Sequence, residues 1–115
     1  MKVKKHRKVV TYKDYFREFL RLQPIAVQKK IVWTLELIED IERVPETYLK
    51  HLTGTDGLYE VKVSLGSNTY RIFCFFSGEQ FVVLMNSYQK KTHKTPKSEI
   101  IKALKIKEEY EQENK

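Results

Sequence analysis

Leu58-Tyr59-Glu60-Val61-Lys62-Val63-Ser64-Leu65 alternates apolar and polar side chains, and a period of two marks a strand with one buried face. Tyr59, Val61, Val63 and Leu65 are expected to face a core, with Glu60, Lys62 and Ser64 on the opposite side. Lys62 is thereby placed on an open sheet face. Gly66-Ser67-Asn68 supplies a turn, Tyr70-Arg71-Ile72-Phe73-Cys74-Phe75-Phe76 a central strand, Ser77-Gly78-Glu79 a second turn and Phe81-Val82-Val83-Leu84-Met85 a third, buried strand. Turns this short force the three strands into an antiparallel meander.

Upstream the period changes. Tyr12, Tyr15, Phe16, Phe19 and Leu20 recur at helical spacing, predicting a first helix over about 13–22. Pro24 suits the first turn of a second helix, in which Val27, Ile31, Leu35, Ile38 and Ile41 share a face that Trp33 and Leu37 widen. The short Gln23-Pro24 connection makes the pair an αα-hairpin. Val9-Val10-Thr11-Tyr12 is rich in β-formers and reads as an edge strand, whereas 48–57 reads as a connector ending in turn residues. Downstream, Pro96 opens a last helix with Ile100, Ile101 and Leu104 apolar, and the acidic tail 108–115 is expected to fray. The fold class is α+β: an N-terminal helical hairpin on a small antiparallel sheet, three-stranded with an N-terminal edge strand, and a C-terminal helix.

At 115 residues and 41% hydrophobic, the chain has enough apolar material for one core, so residues 1–115 are expected to form a single domain. Its net charge of +7 points to a polyanionic partner, and the charge is segregated. Ten Lys or Arg fall in residues 1–30 against Asp14 and Glu18, and nine in 61–107 against Glu79 and Glu99, whereas 31–60 is acidic. A merely solvated surface does not require such segregation. Cys74, the only cysteine, lies in an apolar strand and excludes an internal disulfide, which favours a reducing cytoplasm. The basic N-terminus has no apolar segment of signal-peptide length after it, and no stretch approaches a membrane span, so a cytoplasmic protein without a membrane partner is expected.

The segment Tyr88-Gln89-Lys90-Lys91-Thr92-His93-Lys94-Thr95-Pro96 follows the third apolar run with three lysines and a histidine. Cations and an imidazole presented at a strand end read as a phosphate site with a proton donor attached. Neither a metal nor another cofactor is expected. His6, His51 and His93 are scattered, no carboxylates stand at ligand spacing to them, and Gly54-Thr55-Asp56-Gly57 lacks the spacing of a phosphate-binding loop.

Leu58-Tyr59-Glu60-Val61-Lys62-Val63, Tyr70-Arg71-Ile72-Phe73 and Lys90-Lys91-Thr92-His93-Lys94-Thr95-Pro96, in this order after a helical hairpin, resemble the HigB-like, phage-associated branch of the RelE toxin superfamily. The resemblance runs from about residue 10 to 110. It implies the toxin of a bacterial toxin–antitoxin pair, a ribosome-dependent endoribonuclease acting on mRNA, with a helix-turn-helix antitoxin as partner. The chain departs from the family at three positions: Lys62 stands for a usual Arg, Tyr88 for Phe and His93 for Gln. The first exchange keeps a cation and loses a planar two-donor fork.

Metal-free RNA cleavage by the substrate's own 2′-hydroxyl needs three things: removal of that proton, stabilisation of charge on phosphorus and protonation of the leaving oxygen. Arg71 is the candidate for the second, because a guanidinium can hold two phosphate oxygens; its bland alternative is an ion pair with an acid such as Glu60 across the sheet. Lys62, on the same face, is a candidate base, since neighbouring cations lower a lysine's pKa; the commoner case is a solvated lysine. Lys90 and Lys91 join the catalytic candidates, with His93 as a group of suitable pKa and an incidental loop histidine as its alternative. Lys94 and Lys97 are assigned to the RNA backbone. Tyr88 is a platform for a splayed base or else a cap on the core. Two other readings remain at this stage: a ParE-like toxin that poisons a protein target such as DNA gyrase, and a basic RNA-binding module without activity.

Overall fold

The computed structural model describes residues 5–91 and 93–115. The start of the basic N-terminal run, residues 1–4, and Thr92 of the lysine-rich segment lie outside the described residues. The order of elements is β1 (Lys8–Thr11), α1 (Tyr15–Arg21), α2 (Ile25–Asp40), β2 (Leu49–His51), β3 (Tyr59–Leu65), β4 (Asn68–Ser77), β5 (Phe81–Lys90) and α3 (Lys97–Glu113). The strands form one sheet in the order β1-β5-β4-β3-β2.

The meander β3-β4-β5 is antiparallel, as its turns require. Between β3 and β4 the pair Leu65 and Asn68 closes a two-residue turn, in which Gly66 adopts a φ of +63° that a side chain would disfavour. Three expectations are corrected here. The N-terminal edge strand pairs with β5 in parallel, because the chain returns through the helical hairpin and the meander before reaching it. The stretch read as a connector contains β2, which pairs antiparallel with β3 at Leu49–Val61, Lys50–Glu60 and His51–Tyr59. The third strand continues past Met85 to Lys90, so Tyr88 to Lys90 belong to a strand rather than following one.

Side chains on the two faces of the sheet enter separate cores. Phe16, Val27, Ile31 and Ile38 of the hairpin pack against Val61, Val63, Tyr70, Ile72, Cys74, Val82 and Leu84. On the other face, Ala103 and Ile106 of α3 pack against Phe73, Phe75, Val83 and Met85. α2 is confined to the first face, and only its inner stripe is covered. At about 100° per residue Trp33 lies roughly 130° from the centre of that stripe. It is 47% exposed, against the expectation that it widens the buried side. It stacks edge-on with Tyr48 at 6.1 Å and lies under the Lys30 ammonium at 4.2 Å.

The sequence assigns a fraying tail to 108–115, whereas α3 runs to Glu113. Its last turns carry contacts: Lys13 bridges Glu109 and Glu113 at 3.3 and 3.2 Å, and Tyr110 meets Tyr12 edge-on at 5.2 Å. No helix among the described residues is long and apolar enough to cross a membrane.

Candidate RNA-cleavage site

α3 covers only part of its face of the sheet, and where its cover ends that face turns from apolar to charged. Strand register arranges the charged end as a grid. One row is Lys50, Glu60 and Phe73 on β2, β3 and β4; the next is Lys62, Arg71 and Tyr88 on β3, β4 and β5; the third is Ser64, Thr69 and Lys90. Tyr88 and Lys90 reach this face because β5 carries a bulge. Cys74 pairs with Leu84 and Ile72 with Ser87, so Met85 and Asn86 together oppose Phe73. Asn86 turns inward and donates from Nδ2 to the carbonyl and carboxylate of Glu99, at 3.1 and 3.2 Å, which ties the bulge to the first turn of α3.

Arg71 is 8% exposed and Glu60 2%. Burial of charge at that depth needs an opposite charge nearby, and the Arg71 Nε stands 3.8 Å from Glu60 Oε1. The acid pairing considered for Arg71 is therefore present. At 3.8 Å the contact is electrostatic and too long for a hydrogen bond. Arg71 Nε and Nη1 are buried without a hydrogen-bond partner among the described residues, so the guanidinium retains two unused donors. The other oxygen of Glu60, Oε2, accepts from the Tyr88 hydroxyl at 3.2 Å and from Thr95 Oγ1 at 3.3 Å. Tyr88 is held on its face as well, its ring stacked on Phe73 at 5.7 Å and 26°. Of the two roles read for Tyr88, its contacts are those of a cap on the core. Burial, with the Glu60 charge, pushes its pKa up to about 12, so it remains a donor near neutrality.

Lys62 is half-buried, and its pKa is lowered, first by burial and then by the charges of Arg71, Lys50 and Lys90, against which Glu60 acts. The structure thus brings Lys62, Arg71, Tyr88 and Lys90 onto one face. Lys91, His93, Lys94 and Lys97 lie beyond the strand, all exposed, with Lys97 as the first residue of α3. Sequence reasoning missed three contributors. Lys50 was lost with its strand; Glu60 entered only as a counter-charge; Thr95 carried no signal beyond its place in the lysine-rich segment. Among the described residues no group of three or more His, Cys, Asp or Glu could hold a metal ion. A groove of about 500 Å³ lies elsewhere, lined by Ile25, Lys29, Val32, Trp33 and Glu36 on α2, and contains none of these groups.

The arrangement is a basic row with a buried guanidinium at its centre, on a sheet flanked by a helical hairpin and a C-terminal helix. That fold is similar to the one in the crystal structure of the archaeal RelE-RelB complex from Pyrococcus horikoshii OT3, with a TM-score of 0.51 and 20% identity over 71% of this chain and 92% of that one. By sequence, the family described as Phage derived protein Gp49-like (DUF891) matches residues 18–108, and the chain belongs to that family. Together these bear out the RelE-like superfamily read from the strands and the lysine-rich segment. No curated protein matches the chain.

Proposed function

We propose that the chain is the toxin of a bacterial toxin–antitoxin pair, on the HigB-like branch of its superfamily, and that it cuts mRNA on the ribosome in the cytoplasm. The observation that carries this reading is the row Lys62–Arg71–Tyr88, in which a guanidinium lies at the centre of a face rich in lysine, its charge offset by Glu60 at 3.8 Å. A guanidinium can hold two phosphate oxygens at once, and the lysines around it add to the attraction for a polyanion.

In the proposed reaction the Lys62 amine, its pKa already lowered, takes the 2′-hydroxyl proton. The 2′ oxygen then bonds to phosphorus while Arg71 stabilises the charge gathering on the non-bridging oxygens. The bond from phosphorus to the 5′ oxygen breaks, and that oxygen takes a proton from Lys90, Lys91 or His93. The products are a 2′,3′-cyclic phosphate and a 5′-hydroxyl. Lys94 and Lys97 hold the RNA backbone on either side. The solved structure of similar fold is a complex of RelE with RelB. By analogy the partner here is an antitoxin, a helix-turn-helix protein that covers or distorts the basic face.

Primer extension on translated mRNA after induction tests the reading. Codon-phased cuts are expected, and Arg71→Lys, which keeps the charge beside Glu60 but loses the fork, should reduce them by at least about a hundred-fold. Growth arrest with intact mRNA and lost supercoiling would overturn it in favour of the gyrase-poison reading; salt-sensitive RNA binding without cleavage would overturn it in favour of the binding module.

A further inference from the structure

We propose that Glu60 is the positioning residue of this site, fastening the 93–96 segment to the sheet through Thr95 while it balances the charge of Arg71. The inference deepens the RNA-cleavage reading and rests on it for its kinetic consequences. Its geometric part stands on the contacts alone.

Glu60 is the one acid among the cations of the grid, and its two oxygens are used differently. Oε1 faces Arg71 at 3.8 Å, close enough to offset the guanidinium charge and too far to occupy its donors. Oε2 accepts two hydroxyls, Tyr88 from β5 at 3.2 Å and Thr95 from the segment before α3 at 3.3 Å. An acid that served only as the partner of Arg71 would be expected to form a direct, two-pronged contact with it. Here the carboxylate instead ties the strand to the segment. Tyr88 and Thr95 bracket the lysine-rich stretch, so one buried carboxylate holds both ends of the part that carries Lys91 and His93 beyond the strand. A proton donor must be within hydrogen-bond reach of the leaving oxygen, and a misplacement on the order of 1 Å can cost about a hundred-fold in rate. The Thr95–Glu60 bond is a contact that provides such precision.

Thr95→Val removes the hydroxyl while keeping shape, and Thr95→Ser restores it. Thr95→Val is expected to speed amide hydrogen exchange across residues 93–97 by about ten-fold and to lower the cleavage rate on translating ribosomes by a similar factor, with Thr95→Ser close to wild type. In a Glu60→Gln background, where the charged acceptor is gone, the effect of Thr95→Val should shrink to about two-fold. The proposal is overturned if Thr95→Val exchanges and cleaves as wild type, or if its effect is undiminished in the Glu60→Gln background. The exchange measurement needs no RNA. If exchange responds with rescue by Ser while the wild-type protein cuts no mRNA, the fastening role stands and the RNA reading fails.

Discussion

The two faces of the sheet are made by alternate residues of the same strands, yet they are put to different uses. On the hairpin face Val61, Val63, Tyr70, Ile72 and Cys74 are all buried and pack in one cluster with residues of α1 and α2. On the other face α3 covers Phe73, Phe75, Val83 and Met85, and the neighbouring positions hold Glu60, Lys62, Arg71 and Tyr88. Adjacent residues thus belong to different economies: Ile72 is held by dispersion and exclusion of water, Arg71 by a counter-charge that leaves donors unmatched. The contrast teaches that a small domain can place a charged cluster beside its core where the covering helix leaves part of a sheet face open.

Substitutions at neighbouring positions can break or sharpen that division. The largest stability loss is expected on the hairpin side, where Ile72→Ala should cost about 2–5 kcal/mol in urea denaturation, since Ile72 is fully buried. Arg71→Lys, one residue away, should fold stably and lose cleavage; a loss of stability as large as that of Ile72→Ala would erase the distinction between the faces. A smaller effect is expected in the pH profile. In the proposed reaction Lys62 serves as base only when neutral, and its lowered pKa means that cleavage should rise with pH through a range below that of an ordinary lysine. Lys62→Arg, which stays charged, should lack that limb. The same shift acts on folding in a known direction: the unfolded chain holds the proton more tightly, so this group opposes folding below its lowered pKa and ceases to as pH rises toward the ordinary lysine value. The smallest effect is assigned to Trp33→Ala. Half-exposed on the outer side of α2, it should cost under about 1 kcal/mol in the same denaturation experiment, against the roughly 3–5 kcal/mol of a buried tryptophan.

The regular parts of the fold were legible because burial leaves a period in the sequence. The hairpin helices and the cores of β3, β4 and β5 could be read this way. The signal fails where backbone bonding continues without apolar burial. β2 has three residues, too few for alternation to register, and β5 was cut short at Met85 because Asn86 and Ser87 interrupt its apolar run while the strand goes on. Trp33 departs from its expected place because helical angle, and not residue type, decides which side of α2 it takes. For the candidate site, Lys62 and Arg71 followed from alternation and a short turn, which put them opposite each other. The Glu60–Thr95 contact joins residues 35 positions apart, and no local pattern encodes it.

The bulge opposite Phe73 gives β5 a spatial reading frame. Removing one residue between Leu84 and Ser87 would leave every side chain of Tyr88 to Lys90 intact and turn each to the other side of the sheet, Tyr88 and Lys90 toward the hairpin and Gln89 toward Arg71. Relatives of this chain are therefore expected to vary the chemistry at the end of the strand more freely than its length. Insertions and deletions in that stretch should be rarer among working proteins than substitutions.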